Sequence, residues 1–328
     1  MSFISVLFAL LLEQARPLSK GNPIHAGLRA WVRWSTQNFD AGKPFHGWLA
    51  WGFSVGGPSV AALIIYWLLI TFLGWPVAVI WSAAVLYACL GFRQFSSHFT
   101  QIRDALADGD EQHARELLAS WQQMDASELP RSEIVRHVIE HSVLSAHRHV
   151  FGVLAWFSVL AAFGFGPTGA VLYRLSEFVA RYWQHKSKAD QQPVSDALQQ
   201  TATLTWAAID WLPARTTAIS FAVVGSFEDA IDGWRNYEPR FVGDNDGIVL
   251  AATAGAVNIR LGVAAPVTAV APPGAPALPP RTQDRRKEAR PGQTPELAHM
   301  GIIVGLVWRA VVMWMFLLAL LTLARLLG

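Results

Sequence analysis

The sequence predicts an all-α, polytopic integral membrane protein with four or five transmembrane helices and a helical region on the soluble side. Three observations predict it. Apolar residues make up 52% of the chain and charged residues 15%, against roughly 25% charged in ordinary soluble domains. Four long apolar runs occur, at 53–73, 75–92, 151–173 and 301–327, each near the roughly 20 residues that a helix needs to cross a bilayer. The chain also carries 15 tryptophans, many at the edges of these runs, where interfacial belts place them. A net charge of +2, with no basic patch interleaved with aromatics, gives no sign of a nucleic-acid partner. The single Cys89 excludes an intramolecular disulfide and a cysteine-based metal site.

The elements follow in order. Residues 1–52 open with MSFISVLFALLLEQ, whose 12 apolar-rich residues are too short to span and lack a signal peptide's charged start and small-residue cleavage site; they read as a short interfacial helix followed by an amphipathic region. Residues 53–92 form a transmembrane hairpin about Gly74-Trp75-Pro76. Residues 93–150 are a helical cytoplasmic region, in which Asp110 caps the helix EQHARELLASWQQM and a third helix starts near Ser132. Residues 151–173 are a transmembrane helix with a Gly166-Pro167 break. Residues 174–270 hold a membrane-embedded segment and a small-residue segment. Residues 271–300, rich in Pro, Ala and Arg, cannot bury a core and read as a disordered linker, and 301–328 is the last transmembrane helix.

Residues 203–225 have span length but carry Asp210, Pro213 and Arg215. If they span, 19 cations lie on one side of the membrane and 4, plus Arg325, on the other; this obeys the positive-inside rule, and the arrangement without a span does not.

Residues 137–149 read HVIEHSVLSAHRH. On a helical wheel Glu133, His137, Glu140, His141, His147 and Arg148 fall within about 120°, with apolar residues opposite. His137 and His141, one turn apart, suit two ligands of one metal, with Glu140 as the base of an inverted zincin motif. The same face suits solvation, or substrate binding. In DWLPAR an Asp and an Arg at membrane depth must face an interior or a cavity; Pro213 would break the helix and could bring Asp210 and Arg215 together, or free backbone donors for an anion. ATAGAVNIRLG permits close backbone approach to a helix or a phosphate, and Arg260 ends it. GDNDG reads as turn chemistry. No phosphate-binding or nucleotide-binding glycine loop and no nucleophile elbow occurs.

Several stretches together resemble the CobD/CbiB membrane proteins of cobalamin biosynthesis and their relative AmpE. EQARPLSKGNPIHAGLRAW resembles that family's opening, with His25 near its altered His-Pro pair. FDAGKPFHGWLAW resembles the lead into the first hairpin, and ALADGDEQHAR the family's helical hairpin. DWLPARTTA is similar to its N-Y-[IL]-P-A-R-L-T segment, with Asp210 where Asn is usual, and AGAVNIRLG to its AGAL-x-V-R-LGG. The helix at Glu140 lacks the family's Glu-Asn and Asp-Gly elements, and AHRHVFGVLAWF with GPTGAVLYRL resembles the AmpE branch, a non-catalytic signalling protein linked to β-lactamase induction. HVIEH then reads as the family's acidic helix before a span, not as a zinc protease motif. The CobD/CbiB resemblance implies a ligase that joins an aminopropanol, or its phosphate, to adenosylcobyric acid in the bacterial inner membrane. Its catalytic residues would be Glu140, Asp210 and Arg215. Substrate-binding residues would be His25, His137, His141, Arg148, Asn258 and Arg260. Glu140 would deprotonate the amine, Arg215 and Arg260 would hold phosphate, and Asp210 would orient Arg215. ATP is the expected co-substrate and no bound metal is expected. The implied partners are the corrinoid, the amine, the bilayer and other cobalamin-pathway proteins.

Overall fold

The computed structural model describes residues 2–16, 23–189, 194–238, 241, 243–262 and 292–327. Among them every regular element is helical apart from an isolated bridge between Ile259 and Gln293. The helices are α1 (Ser2–Ala15), α2 (Pro23–Phe39), α3 (Pro44–Trp51), α4 (Gly57–Phe72), α5 (Trp75–Cys89), α6 (Phe92–Ala107), α7 (Glu111–Gln122), α8 (Arg131–Ala146), α9 (Gly152–Ala162), α10 (Thr168–Ala189), α11 (Asp196–Val224), α12 (Phe227–Tyr237), α13 (Asn245–Val257) and α14 (Leu297–Leu327). Single π turns at Gly52–Gly56 and His147–Phe151 join α3 to α4 and α8 to α9. Among the described residues three stretches are long and apolar enough to cross a membrane: Pro44–Phe72, Arg131–Ala162 and Leu297–Ala324. Large apolar side chains such as Phe72, Ile80 and Val312 are exposed, as a lipid-facing surface requires. This is an all-α membrane protein, as the composition implies.

The described residues form two compact units. The first comprises residues 1–97, 145–217 and 310–328; the second comprises 98–144 and 218–309. In the first unit, α4 and α5 make the expected hairpin about Gly74, whose φ of 86° only glycine adopts readily. Its core gathers Val32, Val55, Val179, Trp183 and Leu198. The buried Trp183 indole donates to Thr36 Oγ1 at 2.9 Å, so the polar end of a large apolar side chain is satisfied.

The apolar run 151–173 is divided, not a single helix. α9 ends at Ala162, Gly164 and Gly166 adopt φ of 83° and 56°, and α10 begins at Thr168 and packs back along α9. A Cβ on Gly169 would fall 2.0 Å from the Trp156 carbonyl oxygen, so glycine sets how closely these two helices approach. The span-length helix instead runs upstream, from Arg131 through the π turn to Ala162. Residues 203–225 lie within one continuous helix, α11, with Pro213 inside it. Proline removes one backbone donor, which leaves the carbonyl four residues earlier without its helical partner. That carbonyl belongs to Ile209, and it accepts from the Trp156 indole at 2.9 Å.

In the second unit, Asp110 caps α7 as expected, its side chain accepting from the His113 amide at 3.0 Å. α12 and α13 pack with backbone contact. A Cβ on Gly255 would lie 2.1 Å from the Asp229 carbonyl oxygen, and one on Gly233 would lie 2.6 Å from that of Ala251. The small-residue stretch therefore serves approach to a helix, the first of its two expected uses. Of the expected linker 271–300, residues 271–291 lie outside the described residues. Gln293 pairs with the chain at 258–260, and α14 begins at Leu297.

Candidate functional site

The second unit contains a cleft of about 650 Å³, within the range of small-molecule sites. Its walls come from α12, α13 and the stretch 258–262 that leaves α13, with Glu140 of α8 at its edge. Asp229, Asp232, Asp244, Asp246 and Glu140 line it, and among the described residues Arg260 is the one lining cation. Local structure explains the acids. Asp229 sits in the first turn of α12, where the helix dipole favours a carboxylate, and accepts from Ser226 Oγ at 2.6 Å. Asp244 is the N-cap of α13: Oδ1 accepts from the Gly247 amide at 2.9 Å and Oδ2 from the Tyr237 hydroxyl. α13 ends at Asn258 in the left-handed conformation, φ 54°, which Asn tolerates at helix ends. The Asn258 carbonyl accepts from Gln293 N at 2.9 Å, Arg260 N donates to the Gln293 carbonyl at 2.9 Å, and Arg260 Nε donates to the Gly292 carbonyl at 2.8 Å. Glu140 Oε1 accepts from Arg136 at 2.9 Å and from the Gly262 amide at 2.6 Å. Both bonds fall on Oε1, and among the described residues none reaches Oε2.

A second polar cluster is buried in the first unit. Asp210 Oδ1 accepts from the Tyr173 hydroxyl at 2.7 Å and lies 3.0 Å from His147 Nε2. His147 Nδ1 is 2.9 Å from Thr217 Oγ1. One assignment satisfies the whole chain: Thr217 donates to Nδ1, and Nε2–H donates to Asp210. Tyr173, His147, Asp210 and Thr217 are all fully buried, and Asp210 Oδ2 has no partner among the described residues. Gly152, the first residue of α9, makes room for the tyrosine; a Cβ there would fall 2.1 Å from the Tyr173 ring. His147 opens the π turn, a distortion common where a side chain must be aimed.

A family model described as CobD/Cbib protein matches residues 6–266. The chain belongs to the CobD/CbiB family. It is 30% identical over 279 residues to a cobalamin biosynthesis protein CobD of Chromobacterium violaceum, covering 80% of this chain and 79% of that protein. It is 28% identical over 326 residues to a CobD of Stutzerimonas stutzeri, covering 96% of each. No solved structure matches.

Of the residues singled out in this CobD/CbiB chain, the structure brings Glu140, Asn258 and Arg260 to one cleft. Asp210 does not orient Arg215. Its carboxylate is held by His147 and Tyr173, while Arg215 lies over the Trp211 ring at 4.2 Å and donates to the Trp211 carbonyl. The reason is that α11 continues through Pro213, so positions 210 and 215 leave the helix in different directions. His137 and His141 do not converge. His137 Nε2 lies 3.3 Å from Arg136, and His141 packs against Trp121 with ring centroids 4.4 Å apart. A guanidinium beside His137 repels a metal ion, and among the described residues no group of three or more His, Cys, Asp or Glu is arranged to hold one. Arg148 is half-buried in the π turn, and the His25 side chain lies outside the described residues. As sequence, FEDAIDGW stands out for no chemistry and GDNDG reads only as turn chemistry, yet both supply acids to the cleft. Their signal was an Asp229–Asp232 pair at i,i+3 on one helix face, followed by a helix-capping Asp244.

Proposed function

We propose that this chain is a multi-pass protein of the bacterial inner membrane that acts in cobalamin biosynthesis. In this reading it forms the amide between a carboxylate of adenosylcobyric acid and an aminopropanol or its phosphate, giving adenosylcobinamide or its phosphate. Family membership supports the pathway. The observation that carries the chemistry is the acidic cleft in which, among the described residues, Glu140 is bonded through Oε1 and not through Oε2. An amine reaches the protein as an ammonium ion, and the carboxylates of α12 and α13 attract it. The nitrogen must lose a proton before or as it attacks the acyl carbon, and Glu140 Oε2 accepts that proton. The carboxylate must arrive already activated, as an acyl phosphate; as the new C–N bond forms, the bond from the acyl carbon to the phosphate oxygen breaks and phosphate leaves with the electron pair. Arg260, whose Nε is tied to Gly292, leaves its terminal nitrogens to a phosphate on the amine. Among the described lining residues five carboxylates face one arginine, a set that repels a triphosphate, so no step is assigned to ATP.

The test is complementation in a cobalamin-producing host that lacks its own CobD/CbiB protein. The host is fed cobyric acid, and cobinamide and cobalamin are measured by mass spectrometry. Wild type is expected to restore product and Glu140→Gln to abolish it. Wild-type protein present in the membrane fraction without product would overturn the enzyme reading. The AmpE-like resemblance of AHRHVFGVLAWF would then direct the work to β-lactamase induction.

A further inference from the structure

Glu140 offers two oxygens, and the structure treats them differently. On one side stands Arg136, its side chain 11% exposed beside a Glu140 side chain that is 13% exposed. Arg136 NH1 donates to Glu140 Oε1 at 2.9 Å, while its Nε donates to Glu133 Oε2 at 3.0 Å. The three residues stand at i−3, i and i+4 on α8, so one guanidinium is gripped by a carboxylate on the turn before and another on the turn after. The planar fork holds both at once, which an ammonium does not do. On the other side the Gly262 amide donates to the same Oε1 at 2.6 Å. Gly262 is held because the chain just before it is paired with Gln293. Two donors converge on Oε1, so rotation about the carboxyl bond is blocked and Oε2 is the atom left to the cleft.

We infer that Arg136 is a positioning residue: braced by Glu133, it pins Glu140 Oε1 and thereby sets Oε2 as the proton acceptor that meets the amine. The role of the amine rests on the function proposed above; the pinning of Glu140 does not. A carboxylate freed to rotate keeps its place at the cleft edge, so amine binding persists while the reacting geometry is lost. Misplacement on the order of 1 Å can cost about 100-fold in rate.

The full-length protein in detergent is assayed with activated cobyric acid and aminopropanol for Arg136→Gln, Arg136→Lys and Glu133→Gln. Arg136→Gln is expected to lower kcat by about tenfold or more with KM for the amine within about twofold, because ground-state binding is retained. Arg136→Lys is expected to recover part of kcat, and Glu133→Gln to lose a few-fold. A second readout needs no turnover. Labelling of Glu140 by dicyclohexylcarbodiimide, followed by peptide mass spectrometry, is expected to run several-fold faster in Arg136→Gln and in Arg136→Lys, because the carboxylate is released from its fork. Unchanged labelling in both variants would overturn the positioning role, and so would a kcat within twofold of wild type in Arg136→Gln while Glu140→Gln is inactive. A wild-type protein that makes no amide while the labelling still accelerates would sink the proposed function alone.

Discussion

Tyr173→Phe tests the buried cluster without disturbing its packing. The ring stays over Gly152 and only the hydroxyl that donates to Asp210 at 2.7 Å is removed. Asp210 then keeps His147 as its sole donor, because Oδ2 has no partner among the described residues. Deleting a hydrogen bond to a carboxylate at a fully buried site costs about 1.5–3 kcal/mol, whereas hydrogen bonds between membrane helices average about 0.6 kcal/mol when the unfolded chain finds other partners. Burial of both groups and the orphaned Oδ2 place this case near the lower end of the first range, about 1.5 kcal/mol, or roughly tenfold in the unfolding equilibrium. The assay is unfolding of detergent-solubilised protein by sodium dodecyl sulfate, followed by tryptophan fluorescence, as a double-mutant cycle with Asp210→Asn. Asparagine keeps an oxygen for Tyr173 and His147 and puts an amide nitrogen where Oδ2 stands. In that background the tyrosine hydroxyl makes a neutral bond worth about 1 kcal/mol, so a coupling of about 0.5 kcal/mol is expected. A Tyr173→Phe cost below about 0.3 kcal/mol with Asp210 intact would refute the reasoning, because resolvable loss is the minimum this geometry requires.

Two further substitutions probe how the helices fit. Trp156→Phe removes the donor to the Ile209 carbonyl that Pro213 leaves unpaired, and is expected to cost about 1 kcal/mol. With Pro213→Ala, which restores the helical donor, the same change should cost less than half as much in the unfolding titration; an equal cost in both backgrounds would contradict the account. Gly255→Leu drives a side chain into the Asp229 carbonyl on α12 and is expected to cost about 2 kcal/mol or more. In the same titration Gly301→Ala, with nothing within 4 Å of its added Cβ, should be neutral or slightly stabilising. Equal stability of the two variants would argue against backbone packing of α12 on α13.

Local signals in the sequence carried the helices best. Asp110 followed by an amphipathic run marks a helix start whatever surrounds it, and Gly74-Trp75-Pro76 turns a hairpin by backbone chemistry alone. The division of 151–173 was harder, because apolar content counts residues that face lipid but does not reveal where the chain reverses. Glu140 and Arg260 stand out chemically from their surroundings in the sequence, and both line the cleft. The partner of Asp210 was not legible. The sequence offers Arg215 five residues away, whereas the structure supplies His147 and Tyr173 from distant helices. The cleft's acids were hidden for a similar reason. Asp229 and Asp244 look like ordinary helix starts, and only the glycine-to-backbone contact of α12 with α13 places them around one space.

The pairing of Gly292 and Gln293 with Asn258 and Arg260 has a consequence for how this gene can change. Three hydrogen bonds clamp together the two points where the chain enters and leaves residues 263–291. The fold therefore registers the closure and not the distance travelled between its ends. Closing a chain costs only about 0.6 kcal/mol more for each doubling of its length, so insertions and deletions between the two clamped points are expected to be nearly silent. Length at that point is free to drift between relatives, or to be chosen by an experimenter who needs a place for an epitope, while the four residues of the clamp are not.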